Sequence, residues 1–417
     1  MRIRPAAAAV ALVAACSTPR TPPAPAPAPT EAPAPPARVA WSLTWRGAPI
    51  GGAWERDAGP RFERREQVVV RRGDDLVVSD LTITIERDAR GQAVAIGVTR
   101  WQDGPVLDGT AVLDASGGWR VEVEGEAPLS LPPAVPFELA LRDAAGAREH
   151  HGAVILAGWG FAVAQLDLVP APGGDHHVAR LAIGGRRMEA TVRYDDDGAI
   201  AAIAGGDGVV AHRAALDADL RPANPPEVVD GNAIAVEGGG RSVLALLDAT
   251  APRPPALPGQ RVASATWEIT LDASAPGELA PAAPGPDRTG TIAILVQRVA
   301  DEVADDLGAT AATAGAARSA THGDCTTHAL RFAALAADAD IDARVVTGLR
   351  LDGGALVRHR WNVAWTGSRW ITVDPTWAEA PAAPMLVGLA VHGARAADLA
   401  AADATVFDGL GTRATIR

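Results

Sequence analysis

Cys325 lies in the stretch SATHGDCTTHALRF, and the chain has only one other cysteine, Cys16. A thiol becomes a nucleophile when a base lies beside it or when its surroundings favour the thiolate. Apolar side chains follow Asp324 at helical spacing, and aspartate is a good N-cap. Cys325 is therefore predicted to begin a helix, where free N–H groups and the helix dipole stabilise an anion. A buried structural thiol is the alternative, because free cysteine is often a small core residue.

A second segment, RHRWNVAWTGSRWITVDPTW at 358–377, has the pattern of a β-hairpin. Apolar and polar residues alternate on both sides of Gly367-Ser368, which suits a two-residue turn. With that turn, Trp365 faces Trp370 across the hairpin. The register of every other pair then follows from the two-residue period of a strand.

That register places His359 and Asp374 as diagonal neighbours on one face, about 7 to 8 Å apart at the backbone. A nucleophilic cysteine needs a base, and the base needs a group that orients it. The candidate catalytic residues are therefore Cys325, His359 and Asp374. A tryptophan-rich structural ribbon with an incidental histidine and aspartate is the alternative.

The segments around these residues predict two parts of different secondary structure. Residues 39–274 repeat a strand pattern, as in LTITIE at 81–86 before the turn signal DARG, and predict a mainly antiparallel β domain built as a meander or sandwich. Residues 275–290 are rich in proline and glycine and predict a linker. Beyond them, apolar residues recur at helical spacing from Ile292 to Leu307, which predicts an amphipathic helix at the start of a second domain, 291–417.

The N-terminus is typical of an exported protein. Residues 1–15 carry two arginines and then an apolar run, and they predict a signal peptide. They end in VAAC, which resembles the lipobox of bacterial lipoproteins and implies that Cys16 is lipidated. Residues 16–38 form a tether rich in proline and alanine, which is extended because proline fixes φ and removes a backbone donor. Ser17 resembles the pattern of sorting to the outer membrane, so we expect a lipid anchor there, with the body facing the periplasm.

Charge and composition exclude some classes of partner. The chain has 50 acidic and 38 basic residues, all of the basic ones arginine, without a basic cluster, so nucleic acid is not expected as a partner. The histidine pairs at 150–151 and 176–177 lack further ligands at metal spacing and are interpreted as solvated loops. We expect no cofactor and no metal, and membrane contact through the lipid anchor alone.

The C-terminal motifs resemble a known family. GDCTTHALRFAALAADADIDARVVTGL is similar to the nucleophile helix and following strand of bacterial transglutaminase-like domains, and HRWNVAWTGSRWITVDPTW is similar to their hairpin. The resemblance covers about residues 285–417. It implies an α+β fold with a papain-like core, in which Cys325 is the nucleophile, His359 the base and acid, and Asp374 the orienting group.

The sequence departs from the family pattern at several positions near these motifs. Val363 stands where glutamate is common, Arg360 where a small residue is usual, and Asp340 and Asp342 replace glycine and proline after the helix. None of these changes touches the three catalytic residue types. They bear instead on the choice of substrate.

The expected function is that of a lipid-anchored envelope enzyme that forms an acyl-enzyme on Cys325 from an amide bond of a protein or peptide substrate. Transfer of the acyl group to water would make it a protease or amidase, and transfer to an amine would make it a cross-linking transglutaminase. A transglutaminase fold retained only for binding is the remaining alternative.

Overall fold

The computed structural model describes residues 37–417 apart from 74, 103–104, 148, 175, 185, 206–207, 217–219, 229–232, 239–242, 248, 250–252, 264–266, 273, 384, 408–409 and 412. The predicted signal peptide, Cys16 and all of the tether up to residue 36 lie outside the described residues. Among the described helices, none is long and apolar enough to cross a membrane.

The first sheet is formed by the N-terminal half and contains fifteen strands in the described residues, ordered β8-β7-β6-β5-β4-β3-β2-β1-β15-β14-β13-β12-β11-β10-β9. Their bounds are β1 (Ala37–Trp45), β2 (Ala48–Asp57), β3 (Arg61–Arg72), β4 (Asp75–Arg87), β5 (Ala93–Trp101), β6 (Pro105–Leu113), β7 (Trp119–Val123), β8 (Leu129–Leu131), β9 (Val135–Pro136), β10 (His150–Leu156), β11 (Ala162–Pro170), β12 (His177–Ile183), β13 (Arg186–Tyr194), β14 (Ile200–Gly205) and β15 (Val209–Ala214). All neighbours are antiparallel except β9 and β10. The predicted antiparallel β region is confirmed.

Alternation in the sequence explains how these strands pack. In β4, Ile83 and Ile85 are buried, as the pattern predicts, and they join Phe62, Trp119 and Ile155 in one core. Such alternation places one face of a sheet in the core. Since Ile155 belongs to the far end of the sheet, the sheet curves so that distant strands share this core.

A helix, α1 (Phe137–Ala147), lies within this region, where the sequence showed no convincing helix pattern. Leu139 and Leu141 are buried, and Leu141 packs with Val154 and Leu166. Eleven residues give few turns of periodicity, and an isolated helix of that length is marginal in water. Packing against the sheet is what stabilises it.

The second sheet contains nine described strands, in the order β18-β19-β17-β26-β16-β23-β22-β25, with β24 paired to β23. Their bounds are β16 (Ile234–Glu237), β17 (Val243–Leu247), β18 (Gln260–Val262), β19 (Glu268–Leu271), β22 (Ala343–Asp352), β23 (Ala355–Trp365), β24 (Trp370–Val373), β25 (Leu386–His392) and β26 (Arg413–Ile416). Strands from 234–271 thus pair with C-terminal strands, so sheet membership changes before the predicted linker at 275–290. The domain bounds read from the sequence, and the papain-like arrangement, stay predictions.

The described residues of the C-terminal part contain four helices: α2 (Thr289–Glu302), α3 (Ala314–Arg318), α4 (Cys325–Asp338) and α5 (Ala396–Val406). The predicted helix from Ile292 extends only to Glu302, and Leu307 lies outside it. The chain leaves the helix there because β20 (Ala304–Asp305) pairs with β21 (His322–Gly323), directly before α4. This small ribbon brings the end of α2 next to the start of α4.

The segment predicted as a linker is bonded to the hairpin of β23 and β24. The indole N–H groups of Trp365 and Trp370 donate to the carbonyl oxygens of Ala283 and Ala280, each at 2.9 Å. Gly367 has a φ of 100°, and a Cβ there would lie 2.3 Å from the oxygen of Pro286. Glycine is therefore required both by the turn and by the close approach of this segment.

Candidate active site

Cys325 is the first residue of α4, as predicted. Asp324 caps the helix, since its Oδ1 accepts the N–H groups of Thr326 at 3.0 Å and Thr327 at 3.2 Å. The side chain of Cys325 is partly exposed. Among the described residues, the amide of Cys325 has no hydrogen-bond acceptor, so this N–H can donate to a developing oxyanion.

His359, on β23, contacts both of its predicted partners. Its Nε2 lies 2.8 Å from Oδ2 of Asp374, and the side chain of Cys325 is close enough to raise the pKa of the ring. His359 is 5 % exposed and Asp374 is fully buried. The structure thus brings together the three residues that the sequence singled out, in the order thiol, imidazole, carboxylate.

The predicted register of the hairpin is confirmed and explains this proximity. Trp365 pairs with Trp370 and Val363 with Thr372. Asp374 then follows directly after β24, opposite the part of β23 that carries His359. Strand alternation and one tight turn are sufficient to place the imidazole and the carboxylate together.

Asp374 is held by more than His359. Its Oδ2 also accepts Nη1 of Arg350 at 3.0 Å, and its Oδ1 accepts the N–H of Thr376 at 3.1 Å. The second guanidinium nitrogen of Arg350 lies 3.6 Å from Glu379. Sequence reasoning missed Arg350, because it lies on β22 and no local pattern relates it to Asp374.

The pKa of His359 reflects these contacts. Burial alone would lower it, because a buried imidazolium loses its hydration. The hydrogen bonds to Asp374 and Cys325 and the charges of both outweigh burial and raise the pKa from 6.5 to about 9. His359 is therefore an imidazolium at neutral pH, the form that stabilises a thiolate beside it.

Two tryptophans flank the imidazole. Trp361 is 1 % exposed and stacks on His359, with 5.8 Å between ring centroids. Trp377 meets the same ring edge-on at 4.9 Å and lies under the guanidinium of Arg350 at 3.8 Å. Trp377 is 48 % exposed, so one of its faces remains open beside the site. Both residues lie in the hairpin segment, although its pattern alone did not indicate contact with the base.

Arg360 and Asn362 join the start of α4 to β23. Nη1 of Arg360 donates to Oγ1 of Thr326 at 3.0 Å, and Nδ2 of Asn362 donates to the carbonyl oxygen of Ala329 at 3.1 Å. Arg360 is 8 % exposed and also pairs with Asp403 of α5. The residue that departs from the family pattern is thus a buried cation whose charge acts on Cys325.

The two histidines that flank Cys325 in the sequence lie apart from the imidazole site. His328 is buried, with its ring nitrogens 3.0 Å and 3.1 Å from the carbonyl oxygens of Asp324 and Val303. His322 is exposed and contacts Thr321. Neither takes the position beside the thiol that His359 occupies.

A cavity of about 280 Å³ lies on the Trp361 side of the second sheet. Its lining includes Leu257, Trp370 and Leu386 but none of Cys325, His359 and Asp374. Trp361 separates it from the imidazole. The chemistry indicated by the three residues therefore belongs to the surface at the start of α4 and not to this cavity.

We expect the free energy of unfolding to fall as pH rises from about 6.5 to about 9, by about 3 kcal/mol from His359. The pKa of His359 is about 9 in the folded state and about 6.5 when unfolded, so the stabilisation is complete below the lower value and is lost through the higher one. Urea titrations of the wild type and His359→Gln across this range measure it. Parallel pH dependence in both proteins would contradict the prediction.

One comparison with known proteins identifies a family in the C-terminal region. The model of the transglutaminase-like superfamily matches residues 287–375, which include Cys325, His359 and Asp374. No curated protein matches the chain. A solved β-barrel-like protein of a domain of unknown function from Brucella abortus is 13% identical, with a TM-score of 0.33, and covers 43% of this chain and 94% of its own. A score that low does not establish a shared fold. Residues 287–375 of this chain form a transglutaminase-like superfamily domain.

Proposed function

We propose that this protein is a thiol enzyme that acts on amide bonds of protein or peptide substrates through an acyl-enzyme on Cys325. One observation carries the proposal: the imidazole of His359 lies 2.8 Å from the buried carboxylate of Asp374 and close enough to Cys325 for that residue to raise its pKa. Residues with only a structural role do not require the arrangement thiol, imidazole, carboxylate, whereas a nucleophile, its base and the group that orients the base do.

In the first step, the sulfur of Cys325 attacks the carbonyl carbon of the amide, and a C–S bond forms. The carbonyl oxygen becomes an oxyanion, to which the Cys325 amide at the start of α4 donates a hydrogen bond. When the C–N bond breaks, the imidazolium of His359 gives its proton to the leaving amine. Asp374 holds the ring in place and stabilises its charge during these steps.

In the second step, an acceptor attacks the thioester and the C–S bond breaks. A bond forms between the acceptor and the carbonyl carbon, and the thiolate of Cys325 leaves. His359, which is neutral at this stage, takes the proton of the acceptor and so becomes the resting imidazolium again. Water as acceptor gives a carboxylic acid and makes the protein a protease or amidase. A primary amine gives a new amide and makes it a cross-linking enzyme.

The place of action proposed for this enzyme is the bacterial cell envelope. The support comes from residues 1–38, whose charged start, apolar run, cysteine and proline-rich tether have the order of a lipoprotein leader. A lipid on Cys16 would hold the body near the outer membrane. Intact mass of the protein from its native membrane tests this, since an unmodified mature chain would remove the anchor from the proposal.

The central test compares wild type with Cys325→Ala on envelope extracts prepared in ¹⁸O-labelled water, with and without an added primary amine. New peptide ends that carry ¹⁸O indicate a protease, ¹⁸O at glutamine-derived carboxylates indicates an amidase, and incorporation of the amine indicates a transglutaminase. Each should be absent with Cys325→Ala. Identical products from both proteins would contradict an enzyme and favour a transglutaminase-like domain used for binding.

A further inference from the structure

A side chain of the N-terminal sheet reaches the start of the nucleophile helix. Arg72, the last residue of β3, donates from Nη1 to Oδ2 of Asp324 at 3.1 Å and to Oγ1 of Thr310 at 3.2 Å. Asp324 directly precedes Cys325 and lies 252 positions after Arg72. The contact joins two parts of the chain that the sequence predicts as separate domains.

Asp324 is a buried carboxylate with partners on both of its oxygens. Oδ1 accepts the N–H groups of Thr326 and Thr327 and so caps α4. Oδ2 accepts the hydroxyl of Thr310 at 2.8 Å in addition to Arg72. Asp324 is 4 % exposed, so its charge is poorly hydrated and depends on these partners.

The backbone next to Arg72 is hydrogen-bonded on both sides. The N–H of Arg71 donates to Pro226 at 2.8 Å, and the N–H of Gly73 donates to Glu227 at 2.9 Å. Gln102, on the same side of the sheet, donates to the carbonyl oxygen of Gly308 at 3.0 Å. Hydrogen bonds of the backbone on both sides of Arg72 therefore fix the position from which its side chain reaches Asp324.

The charges around Cys325 explain what this arginine does there. A carboxylate beside a thiol opposes formation of the thiolate, because like charges repel. Asp324 is such a carboxylate on the same element, whereas His359 and Arg360 on β23 are the cations, with Asp374 behind His359. Arg72 pairs with the carboxylate that directly precedes Cys325 in the chain.

We propose that Arg72 is a positioning residue that acts on Cys325 through Asp324, so that the N-terminal sheet sets the reactivity of the nucleophile. Arg72 neutralises the cap carboxylate and keeps its Oδ1 directed at the first turn of α4. The inference rests on the proposed role of Cys325 as nucleophile. The β region is thereby part of the reactive site and not only a separate binding module.

The test measures the alkylation rate of Cys325 by iodoacetamide against pH in the full-length protein, followed by mass spectrometry on the tryptic peptide 319–331. We expect Arg72→Gln to lower the rate about tenfold near neutral pH, with the two profiles converging at high pH where every thiol is ionised. A loss of packing alone would change the alkylation rate at every pH and would not make the two pH profiles converge at high pH. Arg65→Gln is the matched control, because Arg65 lies on the same strand and pairs with Glu63 in solvent.

A double-mutant cycle tests whether Arg72 acts through Asp324. Asparagine retains the cap acceptor without the charge, so Arg72→Gln should change the rate less than about twofold when Asp324→Asn is present. Arg72→Lys should retain most of the wild-type rate because it retains the charge. A wild-type profile for Arg72→Gln, or an equal loss in both backgrounds, would overturn the proposal.

Two further comparisons distinguish an effect of Arg72 on the thiol from a folding defect and from a loss of turnover. If Arg72→Gln does not fold, Asp324→Asn is compared with the double variant, which has no unpaired carboxylate. Equal alkylation profiles then support the proposal, and slower alkylation of the double variant overturns it. Because alkylation needs no turnover, a wild type without acyl transfer would contradict the proposed function and leave the result for Arg72 unaffected.

Discussion

Asp374→Asn will slow formation of the Cys325-dependent product by a factor on the order of 10². The carboxylate accepts Nε2–H of His359, with 2.8 Å between Nε2 and Oδ2, and so fixes the orientation of the ring. An asparagine amide oxygen can still accept Nε2–H, but it has no charge to stabilise the imidazolium. The effect should appear in kcat more than in KM, because Asp374 is fully buried and cannot contact substrate.

The rate is measured on the product that wild type forms in envelope extract and Cys325→Ala does not. A second readout needs no substrate, since ¹⁵N NMR of the histidine rings follows the pKa of His359 directly. It should fall from about 9 when the charge of Asp374 is removed. Asp342→Asn, which changes an exposed carboxylate directly before β22, is the control. Loss of less than tenfold in rate would remove Asp374 from the catalytic group.

Arg360→Ala will lower the free energy of unfolding by about 3 kcal/mol. The guanidinium is 8 % exposed and donates to Thr347 at 3.1 Å, to Thr326 at 3.0 Å and to Asp403. Its removal leaves two buried hydroxyls without that donor and a carboxylate without its counterion, and it opens a cavity where the stem was.

Urea denaturation of wild type, Arg360→Ala and Arg360→Met separates these causes. Methionine fills most of the volume of the stem, so Arg360→Met should lose less stability than Arg360→Ala. Arg358→Ala is the matched control: it lies on the same strand, is exposed, and stacks on Phe407 at 4.1 Å, so about 1 kcal/mol or less is expected. An equal loss in the free energy of unfolding for Arg358→Ala and Arg360→Ala would contradict a stabilising role for the buried hydrogen bonds of Arg360.

The local parts of the site were predictable from the amino-acid pattern. Asp324 as the cap, Cys325 as the first helical residue and the register of Trp365 with Trp370 are all confirmed. Each depends on residues only a few positions apart, because caps and tight turns are made by neighbours. The proximity of His359 to Asp374 follows from the same register.

Other features were missed or misplaced for a common reason. The helix α1 was not predicted, and α2 ends at Glu302, several residues before Leu307. Both differences arise from partners outside the segment: the first sheet packs against α1, and the ribbon of β20 and β21 draws the chain away after α2. The spacing of apolar residues indicates which face of a segment is apolar, but it does not indicate which strand or helix will pack against that face.

From its sequence alone this protein could be seen to carry a thiol at a helix start and an imidazole and carboxylate paired on a hairpin. Tertiary packing added Arg350 to the carboxylate, Arg360 to the first turn of the helix, and Arg72 to the cap of the nucleophile. The physical reason is range. Strand alternation and capping act between neighbours in the chain, whereas Arg72 and Asp324 are 252 positions apart and meet only in the folded protein.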